Sequence, residues 1–124
     1  RTEDGHFDRC QVRDFEVWCD GGPIRANLVV LEHEGGWRSG YWHLQKNSVT
    51  VQVGDEVACG QVLGHIGSSG NSSLPHLHFE VWDPQGLDID PYSGSLSQGF
   101  SLWEDQGVLP ELPAAGCTLD VIDG

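Results

Sequence analysis

Short apolar runs, each interrupted by glycine, most limit what this chain can fold into. Glycine occurs 17 times in 124 residues, about twice its usual frequency. No long segment repeats apolar residues at the spacing of a helix. Runs such as LVVLEH at residues 28–33 and SVTVQV at residues 48–53 are instead β-branched or alternate between two faces. The pattern predicts an all-β protein whose short strands are joined by tight turns.

This pattern also predicts how the chain is organised. Strands are predicted at residues 28–33, 37–44, 48–53 and 76–82, with a strand pair within residues 57–66. Residues 1–25 are predicted to form a loop-rich hairpin that ends in the turn CDGGP, and the GSSGNSS segment at residues 67–73 is predicted to be a flexible loop outside the core. The length suits a single domain.

The last 31 residues differ in character and are expected to pack on the same domain. Residues 94–124 lack strong periodicity, and we expect Trp103 and Cys117 to fix this extension to the rest of the protein. The spacing of SLWE at residues 101–104 predicts the start of a short helix that Gly107 could end.

The charge of the chain excludes some classes of partner. Six basic and 19 acidic residues give a net charge of −13, which repels phosphate backbones and anionic membrane surfaces. The longest apolar run, residues 28–31, is far shorter than the roughly 20 residues of a membrane-spanning helix. We therefore expect no nucleic acid partner and no membrane insertion. The first residues have no apolar signal-peptide core, and we expect the sequence to begin after any such segment.

The cysteines indicate an oxidising compartment. Cys10, Cys19, Cys59 and Cys117 form an even set without a C-x-x-C pair, which favours two disulfides over a zinc cluster made of cysteine alone. Disulfides place the protein outside the cytoplasm, in the periplasm, at the cell wall or secreted. Of three possible pairings we favour Cys10 with Cys19, across a local hairpin, and Cys59 with Cys117. Four reduced, buried thiols are the alternative.

Three histidines carry the strongest chemical signal. His76 and His78 are separated by one residue on a predicted strand, so their side chains should leave the same face about 6 to 7 Å apart. In the same way Tyr41 and His43 are predicted to share one face of their strand and Trp42 the other. Each histidine alone has an ordinary structural explanation. Together they predict a groove in which one imidazole binds a metal ion and another moves a proton beside it.

The segment at residues 29–91 resembles the lysostaphin-type, or LytM-like, family of peptidoglycan zinc endopeptidases. The matching stretches, in order, are LEH at residues 31–33, YWHL at 41–44, VGD at 53–55, GSSG at 67–70, PHLHFEV at 75–81 and DP at 90–91. Both their order and their spacing agree with the family. The resemblance implies a compact antiparallel β-sandwich with a groove, formed here by a partial peptidase domain at residues 1–93.

The resemblance also implies a reaction and roles for individual residues. The family hydrolyses peptide cross-bridges of bacterial cell-wall peptidoglycan with one Zn²⁺ ion. By matching motif, His78 resembles a zinc ligand, and His43 and His76 resemble the histidines that orient water and stabilise the oxyanion. Tyr41 and Trp42, beside His43, are predicted to bind substrate.

Other polar and aromatic residues are weaker candidates. Trp37 and Trp42 could line the same groove, although core packing is the default for both, and core packing is expected for Trp18, Trp82 and Trp103. Glu80 could support a histidine or be a solvated carboxylate on its strand. His33 and His65 are expected to be structural or to face solvent.

The chain departs from the family in its metal ligands. The family's other two zinc ligands lie in an upstream H-x-x-x-D motif, and no histidine here is followed four residues later by aspartate. One histidine is too few, because a catalytic zinc usually takes three protein ligands. We expect the missing ligands upstream of Arg1. The alternatives are a domain that does not bind zinc and replacement of the ligands by His6 and Asp8.

Two further functions are compatible with parts of the sequence. A non-catalytic LytM-like module could keep the groove and bind a peptide or a partner protein without hydrolysing it. The turns at residues 53–57 and 60–63 also resemble those of biotin- and lipoyl-carrier domains. A carrier needs a lysine at its hairpin tip, however, and the only lysine, Lys46, precedes this segment.

Overall fold

A computed structural model of the chain describes residues 1–19, 25–103, 106–107 and 117. In these residues the protein is built from antiparallel strands, which confirms the predicted all-β class. Four strands form one sheet in the order β1-β4-β5-β6, and β2 pairs with β3 in a separate hairpin. The strands are β1 (Thr2–Glu3), β2 (Cys10–Arg13), β3 (Glu16–Cys19), β4 (Asn27–Glu32), β5 (Arg38–Leu44) and β6 (His78–Trp82).

The centre of the sheet is the β4–β5 hairpin, which the sequence predicts well. A single 3₁₀ turn at Glu34–Gly36 joins the two strands. Gly35 and Gly36 both have positive φ angles, of 77° and 87°, a conformation that residues with side chains rarely adopt. The glycine pair therefore fixes the position of the turn and, through it, the register of β5 on β4.

Irregular chain, rather than strands, covers one face of this sheet. Val29 and Leu44 form the buried core with Val51. Five partly buried residues pack around them, namely Leu31 and Tyr41 of the sheet and Val49, Val57 and Leu63 of the irregular segment. Residues 48–66 contain no strand, so the strands predicted there are wrong. Isolated hydrogen bonds such as Thr50 N–H to Leu63 O, 3.0 Å, replace a continuous ladder. Val51 is buried as its alternation predicts, whereas Val53 is exposed.

The loop predicted to lie outside the core is buried. Gly67 to Gly70 are buried, and Ser68 and Ser69 have 0% exposure. The Ser69 hydroxyl donates to Leu44 O at 2.6 Å and accepts the N–H of Asn27 at 3.0 Å. A Cβ on Gly67 would lie 2.5 Å from the Cα of Gln45, so glycine is needed for this close approach. Hydrogen bonding, which satisfies the polar groups, makes burial of the loop possible.

Both favoured disulfide pairings are present. Cys10 is bonded to Cys19 at the open end of the β2–β3 hairpin, and Cys59 is bonded to Cys117. Cys10 Sγ lies 3.2 Å from the carbonyl oxygen of Ser72, which places the hairpin against the 67–73 loop. The predicted turn after Cys19, residues 20–23, lies outside the described residues.

The described part of the C-terminal extension contacts the sheet through Trp103. Its ring lies 5.9 Å from Phe79 and 5.5 Å from Tyr92, between centroids, which confirms its predicted role in packing. Residues 101–103 form a bend, and residues 104–105 of the predicted helix lie outside the described residues. Trp18, predicted to pack, is exposed on β3 instead. Across the described residues, no helix has the length and apolar character needed to cross a membrane.

Asn27 is a polar residue of β4 that is hydrogen-bonded to β5 and to two loops. Its replacement by leucine should destabilise the protein. Asn27 is fully buried. Its side chain accepts the N–H of His6 and donates to His6 O and Leu44 O at 2.8 to 2.9 Å. Because leucine has a similar size but no hydrogen-bonding group, we expect a loss of about 2–4 kcal/mol in the free energy of unfolding. Urea denaturation measures it.

The matched control is Asn71→Ala, since Asn71 is exposed. It should change the free energy of unfolding by less than about 0.5 kcal/mol. A loss below about 1 kcal/mol for Asn27→Leu would show that these hydrogen bonds are not critical to the fold.

Candidate active site

Three histidine rings come together at one end of the β5–β6 pair. The centroid of the His43 ring lies 4.6 Å from that of His76 and 5.7 Å from that of His78. His43 belongs to β5, His78 begins β6, and His76 lies just before it. We call these three residues the histidine cluster. The structure thus brings together the three imidazoles that the sequence places in one groove.

A β-bulge in β5 sets the direction of His43. Asn27 pairs with Leu44 and the next residue, Leu28, pairs with Trp42, so the ladder skips His43. His43 has a φ angle of 64°, in the left-handed region that is uncommon for residues other than glycine. Bulges of this kind often redirect a side chain next to an active site. The inserted residue places His43 on the same side as Trp42.

Because of the bulge, the side chains of β5 do not lie on the faces that the sequence predicts. Tyr41, predicted to share a face with His43, lies on the opposite side, where its ring contacts Phe79 at 5.3 Å between centroids. Trp42, predicted to face away from His43, contacts His78 at 5.6 Å. The prediction is wrong because one extra residue reverses the alternation of a strand. Tyr41 therefore lies on the face away from the histidine cluster, whereas Trp42 lies directly beside the cluster.

His43 is buried and held in one tautomer. Its side chain is only 8% exposed, and Nδ1 lies 2.6 Å from the carbonyl oxygen of Ser69. Because a carbonyl oxygen only accepts hydrogen bonds, Nδ1 carries the proton and Nε2 of the neutral ring keeps a lone pair. Burial lowers the pKa of His43. The hydrogen bond to Ser69 opposes this shift, and the neighbouring His76 and His78 lower the pKa further. His43 is thus neutral at neutral pH.

His76 is positioned by the segment that precedes β6. Its Nδ1 donates to Leu74 O at 2.7 Å, which leaves the lone pair on Nε2. Its backbone N–H donates to Gly67 O at 3.1 Å, so the buried loop also holds this residue. The predicted strand starts two residues too early, because β6 begins at His78 and not at His76. For the same reason Leu77, which a strand beginning at His76 would turn towards the core, is exposed.

His78 is the most accessible member of the cluster. Its side chain is 46% exposed, and Nε2 lies 2.7 Å from a carboxylate oxygen of Glu80. The two residues are i and i+2 on β6, so they share one face. The carboxylate accepts the Nε2 proton and leaves Nδ1 free to bind a ligand, which is how many metal-binding histidines are oriented. Glu80 therefore has the supporting position considered for it from the sequence.

The other histidines and candidate residues lie outside the cluster. His6 faces Glu3 at 3.6 Å, while the carboxylate of Asp8 accepts the backbone N–H groups of Ser68 and Lys46. His33 Nε2 lies 2.7 Å from Ser39 Oγ. A separate cavity of about 280 Å³ lies on the face of the sheet away from the histidine cluster. Its lining includes His33, Trp37, Tyr41, Phe79 and Trp103. His65 is exposed.

Two residues that support the cluster were missed by sequence reasoning. Ser69 supplies the carbonyl that orients His43, and Asn27 is hydrogen-bonded to the Ser69 hydroxyl through its backbone N–H. The GSSG stretch could have been recognised as important because it is part of the family resemblance. No local signal marks Asn27, since its partners are distant in sequence.

The described residues include one imidazole, that of His78, oriented so that it could bind a metal ion, and no complete metal site. Within residues 1–19, 25–103, 106–107 and 117, no three His, Cys, Asp or Glu side chains are arranged to hold a metal ion. When neutral, each ring of the histidine cluster has one nitrogen engaged by a protein oxygen and a lone pair on the other nitrogen. This arrangement suits proton transfer next to a metal ion bound by His78.

The chain matches a known protein family over the segment that carries the histidine cluster. The model of peptidase family M23 matches residues 15–91, a range that includes every member of the histidine cluster. The chain belongs to this family. It is a LytM-like family of peptidoglycan endopeptidases, which confirms the resemblance found in the sequence.

Three named relatives show which proteins of the family are similar to this chain. The chain is 47% identical over 96 residues to the glycyl-glycine endopeptidase ALE-1 of Staphylococcus capitis, with 77% of this chain and 22% of that protein covered. It is 47% identical over 78 residues to lysostaphin of Staphylococcus simulans, covering 63% and 14%. It is 39% identical over 84 residues to the peptidoglycan DD-endopeptidase ShyB of Vibrio cholerae, covering 68% and 19%. The chain therefore spans less than a quarter of the length of these relatives.

Proposed function

We propose that this chain forms the histidine-bearing part of a zinc-dependent endopeptidase that hydrolyses peptide cross-bridges of peptidoglycan. The observation that carries the proposal is the histidine cluster, in which the His43 ring lies 4.6 Å from His76 and 5.7 Å from His78. The names of the relatives, which include endopeptidases of peptidoglycan, support the substrate class. The two disulfides and these relatives support a location outside the cytoplasm.

His78 fits a role as zinc ligand. Its ring is oriented by Glu80, Nδ1 has no hydrogen bond to any of the described residues, and its partial exposure leaves room for further ligands. A catalytic zinc usually takes three protein ligands and keeps one position for water. We propose that the other ligands come from a segment outside these 124 residues, as in the family's H-x-x-x-D motif. When bound, zinc lowers the pKa of a bound water towards about 7 and polarises the scissile carbonyl.

His43 and His76 have the geometry for proton transfer. Each keeps a lone pair on Nε2 because Nδ1 donates to a backbone carbonyl. In the proposed reaction one ring accepts a proton from the attacking water and later gives it to the nitrogen of the leaving amine. The other ring, once protonated, donates a hydrogen bond to the oxyanion. Water thus adds to the carbonyl carbon, the C–N bond breaks, and no covalent enzyme intermediate is formed.

Removal of the metal from the complete natural protein tests this proposal. As purified, the protein should contain about one zinc per chain and cleave a fluorogenic cross-bridge peptide. Dialysis against 1,10-phenanthroline should abolish both, and added Zn²⁺ should restore cleavage. Metal content is measured by mass spectrometry and cleavage by chromatography of the products.

Peptide binding without cleavage is the result that would contradict this proposal. A protein that binds the peptide but never cleaves it, with or without added zinc, would contradict the enzymatic proposal. That outcome would support the non-catalytic peptide-binding module instead.

A further inference from the structure

An aromatic surface extends from the histidine cluster along the same face of β5 and β6. Directly opposed residues of an antiparallel pair share a face, and so do alternate residues of one strand. We call the resulting surface the indole platform. It consists of three cross-strand pairs, namely Trp42 with His78, Gly40 with Glu80, and Arg38 with Trp82.

The two indoles of the platform hold each other in place. The rings of Trp42 and Trp82 meet edge to face, with centroids 5.5 Å apart. A Cβ on Gly40 would overlap the Trp42 ring and lie 2.8 Å from Trp82, so the absence of a side chain lets both rings lie over the backbone. The Arg38 guanidinium lies 5.9 Å from the centroid of Trp82, within the range of a cation–π contact. The platform is therefore arranged before any ligand arrives.

The platform is continuous with the proposed reaction centre. Trp42 contacts the His78 ring directly, and Trp82 lies four residues further along β6. The centroid distances of 5.6 Å and 5.5 Å place the Trp82 ring at most about 11 Å from the His78 ring, the length of about three residues of extended peptide. Arg38, Trp42 and Trp82 also line a depression of about 910 Å³ that continues around the edge of β4.

The chemistry of the platform indicates what it binds. Indole faces and a bare glycine offer apolar contact rather than side-chain hydrogen bonds, and the carboxylate of Glu80 is already engaged by His78. Such a surface suits an extended peptide of small, uncharged residues, whose backbone can pack closely against the indoles. The sequence assigned Trp82 to packing alone, whereas the structure places it half-buried on the face that carries the histidines.

We propose that Trp42 and Trp82 form an extended subsite for the peptide on one side of the scissile bond. Trp82 would contact the substrate about three to four residues from that bond. Cleavage should therefore become more efficient as the peptide is lengthened on that side, until it covers Trp82. This proposal rests on the proposed endopeptidase function and adds to it a preference for long cross-bridges.

The test uses the complete zinc-loaded protein and glycine-rich peptides lengthened from one to six residues on either side of a fixed scissile bond. With wild type, kcat/KM should rise with length on one side only. Trp82→Leu should lower kcat/KM for the longest peptide about tenfold, the effect of removing one aromatic anchor. It should lower kcat/KM for the shortest peptide much less, because that peptide does not reach Trp82, and retained zinc content shows that the variant is folded.

Trp37→Leu is the matched control, because Trp37 lines the cavity on the opposite face of the sheet. It should keep the length dependence of wild type. The proposal is overturned if wild type shows no length dependence, or if Trp82→Leu retains it or loses activity equally at all lengths. A wild-type protein that cleaves none of the peptides contradicts the endopeptidase function itself, so the two failures are distinguishable.

Discussion

Replacing His43 with asparagine in the complete protein should lower kcat by about 10²- to 10⁴-fold while zinc stays bound. This is the usual contribution of a positioned group that transfers protons. His43 Nε2 carries the lone pair that accepts the proton. Burial, which lowers the pKa of the ring, and the hydrogen bond from Nδ1 to the Ser69 carbonyl keep this lone pair available. Asparagine is the suitable substitute because it tolerates the φ angle of 64° better than most residues. Initial rates with a cross-bridge peptide and zinc analysis measure the two effects.

The control for this variant is His65→Asn. His65 is exposed and lies outside the histidine cluster, so its replacement should leave kcat and zinc content at wild-type values. If His43→Asn kept kcat within about threefold of wild type, His43 would not take part in proton transfer.

The β4–β5 hairpin is predicted correctly because its two strands are close in the chain. Residues 28–33 and 37–44 fold against each other across a turn of two glycines, so local pattern is enough to define both. The alternating run at residues 48–53 has equally strong β character, but it lacks a continuous hydrogen-bonded neighbour in the structure. Alternation predicts burial of Val51 and fails to predict the strand, because a strand requires a partner as well as a pattern.

The orientation of the site depends on features that a single strand does not reveal. Regular alternation assigns Tyr41 to the side of His43, and a bulge of one residue reverses that assignment. Bulges have no strong sequence signal here, since the inserted residue is a histidine with a left-handed backbone rather than glycine. The convergence of the three rings was predictable only from the joint occurrence of H-x-H and YWHL.

The buried serine loop shows a second limit of local reasoning. Residues 67–70 are polar and glycine-rich, which normally indicates a surface loop. Here Asn27 and Leu44 provide hydrogen-bonding partners for Ser69, and these are 42 and 25 residues away in sequence. Once buried, the loop presents the Ser69 carbonyl to His43 and the Gly67 carbonyl to the backbone of His76. The conformation of the loop therefore positions two members of the cluster.

Replacing His78 with alanine should remove both zinc and cleavage, in contrast to the His43 variant. His78 is the only member of the cluster whose supporting partner is a carboxylate, with Nε2 2.7 Å from Glu80. A carboxylate raises the basicity of the ring and strengthens metal binding at the other nitrogen. Loss of one of three protein ligands should therefore leave no stable zinc site, as measured by mass spectrometry and by zinc titration with a competing chelator.

Glu80→Gln gives a graded comparison for the same site. Glutamine still accepts the Nε2 proton through its amide oxygen but carries no charge, so zinc affinity should fall only about 10- to 100-fold. Cleavage should then recover when excess zinc is supplied, whereas His78→Ala should stay inactive at any zinc concentration. If His78→Ala retained one zinc and cleaved the peptide, His78 would not be a ligand. The proton-transfer roles of His43 and His76 would then need a metal site elsewhere in the groove.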